Sequence, residues 1–120
     1  MPERKTYSGQ CHCGAVKFEV TSNLGALGDC NCSICSRLGW VMQTVPAADF
    51  KLLSGEDRLT TYRFNTQMFA HQFCSTCGIE SFARGDDGHG NISYTINTGC
   101  LAGLPEIDRS GVKHWDGKSW

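Results

Sequence analysis

Along residues 15–20, AVKFEV, apolar and polar side chains alternate, so that Val16, Phe18 and Val20 fall on one face. A period of two marks a half-buried strand. Residues 39–45, GWVMQTV, are rich in strand-forming residues and read the same way. PAADF, 46–50, predicts a single helical turn opening on Pro46, whose fixed φ suits a helix start. RLTTYRF, 58–64, sets Leu59, Tyr62 and Phe64 among threonines and predicts another strand. QMFAHQF, 67–73, and IESFAR, 79–84, flank a short cysteine-bearing stretch and predict a hairpin around it. GDDGHGN, 85–91, is a turn-rich loop, and ISYTINT, 92–98, a further strand. Beyond Leu104 the pattern fades into a polar tail ending in HWDGKSW. No segment carries a long helical period. The expected fold is mostly β, with residues 1–120 forming one domain of short strands.

Composition narrows the picture. Of 120 residues, 40% are hydrophobic, which suits a globular chain with one modest core. Eleven Lys and Arg against twelve Asp and Glu leave a net charge of -1, which argues against nucleic acid or an acidic membrane surface as a partner. No apolar run approaches the ~20 residues of a membrane span. The opening MPERKTYSGQ has no apolar signal core, so a cytoplasmic setting with reduced thiols is expected. There are nevertheless eight cysteines, and all but Cys100 fall into three clusters: Cys11/Cys13, Cys30/Cys32/Cys35 and Cys74/Cys77. Cys30 and Cys32 are too close along the chain to form an unstrained disulfide. Packing does not call for such clustering, whereas chelation does, because one ion gathers several sulfurs at ~2.3 Å. Metal binding would also stabilise a small core against the ordering entropy of the chain.

The clusters differ in kind. Cys13 and Cys77 are each followed by glycine, which suits the sharp turn of a metal knuckle because it reaches positive φ without steric cost. CHCG and CSTCG thus read as two halves of one closed four-thiolate site on Cys11, Cys13, Cys74 and Cys77, with zinc favoured over iron. CNCSICSR, 30–37, differs. Three thiolates from one loop form a tripod that leaves a coordination position open, as catalytic zinc sites do. Cys100 or His71 remains an alternative fourth ligand that would close it. His12, between two ligands, is expected to point away from the metal. His71 reads as a hydrogen-bonded core histidine, His89 and His114 as exposed. Arg37 is either a clamp for a substrate carboxylate or a solvated charge.

The stretches GQCHCGAVKFEV, CNCSIC and FNTQMFAHQFCSTCGIESF resemble the glutathione-dependent formaldehyde-activating enzyme family, and most closely its centromere protein V branch. The resemblance implies an Mss4-like fold of small antiparallel sheets organised around zinc. It implies two zinc ions per chain: a structural one on Cys11, Cys13, Cys74 and Cys77, and a catalytic one on Cys30, Cys32 and Cys35. The implied activity is that of a carbon–sulfur lyase joining glutathione, or a similar small thiol, to formaldehyde. Enzyme-like members often carry arginine directly after the third tripod cysteine; here Ser36 stands there and Arg37 follows. Two other functions stay open. One is a non-enzymatic zinc-binding module for a protein partner, and the other a thiol-based redox or metal-buffer protein.

Overall fold

The computed structural model describes residues 5–23, 27–30, 32–63, 69–102 and 112–115. In chain order the strands are β1 Lys5–Gln10, β2 Lys17–Ser22, β3 Leu27–Cys30, β4 Met42–Pro46, β5 Phe50–Ser54, β6 Leu59–Tyr62, β7 Phe69–Cys74, β8 Glu80–Asp86, β9 Ile92–Asn97 and β10 Lys113–Trp115. One short helix, α1 Ser33–Leu38, interrupts them. They form a three-stranded sheet, β1-β2-β5, and a seven-stranded sheet, β10-β3-β4-β9-β8-β7-β6. Every pairing is antiparallel except that of β10 with β3. The protein is mostly β, as its alternation predicts. No helix among the described residues is long and apolar enough to cross a membrane.

The core lies between the two sheets. Phe18 and Val20 from β2 meet Val45, Phe82 and Ile96 from the large sheet. The Phe50 ring stacks on Tyr94 with centroids 4.0 Å apart and tilts against Phe82 at 4.8 Å. Gly9 faces Phe18 across the β1–β2 ladder. A Cβ on Gly9 would come within 2.3 Å of the Phe18 ring, so only glycine lets that ring lie against β1. The opposite face of the large sheet carries a second, smaller cluster. There Ala83 packs with Cys30, Cys35 and Trp40, flanked by Met42. The large sheet is thus covered on one face by the small sheet and on the other by the loop and helix that bear the tripod cysteines.

Several details differ from the sequence reading. The turn at 46–50 is a 3-10 helix over Ala47–Asp49, with Pro46 outside it as the cap and as the last residue of β4. Its extended backbone, ψ 157°, lets Pro46 end a strand instead of opening a helix. The strand expected over 58–64 runs from Leu59 to Tyr62, and Phe64 lies outside the described residues. So do residues 67–68 of the expected hairpin and most of the polar tail beyond Leu104. Within that tail, Lys113–Trp115 is a strand: it pairs in parallel with β3 and covers that strand's outer edge.

Candidate metal centres

The two knuckles have matching backbones. Cys11 N–H donates to the Val16 carbonyl and Cys74 N–H to that of Ile79, each five residues on. Gly14 and Gly78 turn the chain at φ 82° and 81°. Backbone N–H groups then reach the sulfurs: Val16 donates to Cys11 Sγ and Thr76 to Cys74 Sγ, each at 3.4 Å. β1 leads into the first knuckle and the β7–β8 hairpin closes on the second. The packing of Cys11 and Cys74 into one core brings the halves together. The Sγ atoms of Cys11, Cys13, Cys74 and Cys77 all lie within 4.8 Å of one another. Cys13 Sγ is 3.6 Å from both Cys11 Sγ and Cys74 Sγ. A tetrahedron of sulfurs at ~2.3 Å from a central ion has edges of about 3.8 Å, so this donor set fits a four-coordinate ion.

Electrostatics agree with that fit. Cys77 is drawn down to about 6, first by the backbone N–H of Cys13 and then by that of Ile79. Cys74 is lowered too, chiefly by the N–H of Cys77. Cys13 is pushed up to about 11. The Ala15 N–H favours its thiolate but is outweighed by burial and by the neighbouring thiols of Cys74, Cys11 and Cys77. Thiolates crowded together resist full ionisation until a cation is placed among them.

The second group is built from one turn of chain. Cys30 ends β3, Cys32 caps α1, and Cys35 lies in its first turn. Cys32 N–H donates to Cys30 Sγ and Cys35 N–H to Cys32 Sγ, both at 3.5 Å. Gly39, in the left-handed region at φ 64°, ends the helix and returns the chain to Trp40 and β4. The three sulfurs lie within 4.8 Å of one another, and among the described residues no further Cys, His, Asp or Glu joins them. Burial pushes the Cys35 thiol up to about 12, and the neighbouring Cys32 and Cys30 add to the rise. Burial also raises Cys32, but the N–H groups of Cys35 and Ile34 and the thiols of Cys35 and Cys30 together outweigh it, and the net shift is downward. Three convergent sulfurs, with backbone donors aimed at them, fit a thiophilic cation.

The remaining candidates fall elsewhere. Cys100 packs against the core beside Cys11 and Cys77, at the four-thiolate centre and away from the tripod. It therefore does not close the tripod. His71 does not join the tripod sulfurs either; it is buried, with Nδ1 2.9 Å from Glu80 Oε2. His12 and His89 are exposed. His114 is exposed and pairs with Asp29 at 2.7 Å. Arg37 Nη1 donates to the Ser33 carbonyl at 2.7 Å, which ties the guanidinium to its own helix. Two buried residues escaped the sequence reading. Trp40 is 6% exposed and packs on Cys30 and Cys35; the isolated apolar pair Trp40–Val41 after Gly39 was its only signal. Glu80 is equally buried, and its signal is an acidic residue among Ile79, Phe82 and Ala83 at the start of a strand.

A family model described as glutathione-dependent formaldehyde-activating enzyme matches residues 6–115. Among solved structures, the crystal structure of a Rhodobacter sphaeroides protein, a structural-genomics target, is similar to this chain. The two are 33% identical, with a TM-score of 0.77, over 90% of this chain and 98% of the other.

Proposed function

The chain belongs to the glutathione-dependent formaldehyde-activating enzyme family, and from that premise we propose that it is a zinc-dependent carbon–sulfur lyase acting on thiol–aldehyde adducts. Glutathione, or a similar small thiol, and formaldehyde are the proposed substrates. The observation that carries the reading is the tripod: three converging sulfurs with no fourth Cys, His, Asp or Glu donor among the described residues. Cys30, Cys32 and Cys35 would hold a zinc ion there, and Cys11, Cys13, Cys74 and Cys77 would hold a second, structural one. A zinc ion with a position open to substrate favours the thiolate form of a thiol at neutral pH. Cys30 is fixed by a strand end, and Cys32 and Cys35 by a helix, so the donors are pre-positioned on regular structure. Trp40 and Ala83 keep water from the buried side of Cys30 and Cys35. Arg37, exposed at the last turn of α1, is a weaker candidate for anion recognition, since it must first leave the Ser33 carbonyl.

Cobalt substitution tests this reading, because its absorption bands report coordination number and sulfur ligation. Glutathione should shift the bands of the tripod cobalt and leave those of the four-thiolate cobalt unchanged. A shift with small thiols alone would reject glutathione as substrate. No shift with any thiol would remove the mechanism altogether.

A further inference from the structure

The hairpin that bears Cys74 and Cys77 also bears a buried polar pair that neither group of cysteines uses. His71 Nδ1 lies 2.9 Å from Glu80 Oε2, and their side chains are 8% and 5% exposed. The spacing about the knuckle is symmetric, H-x-x-C-x-x-C-x-x-E from His71 to Glu80. A regular ladder would nonetheless hold the two apart. Gln72 pairs with Phe82, and Phe73 pairs with Glu80, so Ser81 is an extra residue in β8. Without it, Phe73 would face Ser81, and Glu80 would point to the opposite side of the sheet from His71. The bulge re-aims Glu80 onto the face of Phe73 and His71, where it lies diagonal to His71 within reach of a long side chain.

That face is the one on which the tripod sits. Ala83 stands directly opposite His71 in the β7–β8 ladder. Ala83 is also the residue that packs against Cys30, Cys35 and Trp40. His71 is therefore one strand, ~5 Å, from the floor of the tripod. Stability alone does not account for the pair, because a buried ionisable pair stabilises no better than apolar side chains of similar volume. A carboxylate oxygen at hydrogen-bond distance from Nδ1 holds the imidazole ring in one orientation. A carboxylate orients a histidine base in the same way in hydrolytic triads.

We propose that His71, oriented by Glu80, is the proton-transfer residue of the tripod site. The inference rests on the lyase reading above. As adduct forms, a sulfur lone pair makes the carbon–sulfur bond and the carbonyl π pair moves onto oxygen. His71 takes the proton from the thiol and returns it to that oxygen. Cleavage reverses each transfer, and no oxidant or reductant takes part. Glu80 is a positioning residue, which holds the imidazole ring without touching substrate.

The test uses the metal-loaded full chain with 15N-labelled histidines, titrated with glutathione and with a small thiol, beside a cobalt-substituted sample. The His71 ring nitrogens should shift as the cobalt bands respond. His71→Gln should keep both metals and the cobalt response while lowering turnover ~10²–10⁴-fold. Glu80→Gln should move the His71 nitrogen signals even without thiol. Responsive cobalt with unmoved His71 signals overturns the proposal and leaves the lyase reading standing. Turnover of His71→Gln within ~3-fold of the native rate does the same. Cobalt bands blind to every thiol overturn the lyase reading itself, and this proposal with it. If His71→Gln does not fold, the nitrogen titration of the unaltered chain decides.

Discussion

Replacing Cys74 by serine removes one corner of the four-thiolate group at a position with no solvent exposure. Structural zinc contributes ~10–16 kcal/mol to folding in small zinc domains, comparable to the whole ~5–15 kcal/mol by which domains are stable. Cys74→Ser is therefore expected to yield an unfolded chain or a much lower melting temperature by circular dichroism. Cys35→Ser should give a folded protein with one metal by elemental analysis, and equal destabilisation by both would contradict a split between structural and catalytic centres. Cys100→Ser should retain about two metals per chain, since Cys100 lies outside both groups of converging sulfurs. The two groups were legible from spacing because chelation needs several thiols in short reach of one point, and that need is written locally. The positions of Cys100, Trp40 and Glu80 were not. Cys100 is set by the core around Cys11 and Trp40 by Ala83, both far along the chain, and Glu80 by a bulge that no composition marks.

Among the elements, strands with one apolar face could be read and the rest could not. β2 shows why the alternation works: Phe18, Val20 and Ser22 are buried while Lys17, Glu19 and Thr21 are not. β1, KTYSGQ, has only Gly9 buried, so nothing in its pattern announces a strand. β3 and β10 are four and three residues long, too short to show any period. α1 has six residues and a cysteine as its cap, so neither a stripe nor the usual Ser, Asp or Asn marks it. β10 is held to β3 by a three-residue parallel ladder and by the His114–Asp29 pair. Side-chain exposures of 76% and 38% leave that pair well screened. His114→Ala should cost less than about 1 kcal/mol in a thermal melt, and less still at high salt. At the other extreme, Phe18 has no exposed surface and touches both sheets, so Phe18→Ala should cost about 3–5 kcal/mol in denaturant titration.

For the molecule as a whole, a net charge of -1 implies no binding to DNA at physiological salt beyond weak non-specific attraction. A salt-sensitive gel shift at low protein concentration would contradict this. The two sulfur groups also differ in how far apart along the chain their members start. Cys13 and Cys74 are 61 positions apart, and a loop of that length costs roughly 4 kcal/mol of closure entropy before any bond forms. Cys30, Cys32 and Cys35 span a single turn and need almost no closure. An unfolded or nascent chain therefore has a ready local chelate at the tripod, while the four-thiolate cage exists only once β1 and the β7–β8 hairpin have met. If the two groups hold metal as proposed, the first ion captured during folding would go to the three-sulfur centre and would have to be handed over or joined by a second. At limiting metal, refolding should accordingly slow down with an early, partly folded, one-metal species, and a small excess of zinc should restore the rate.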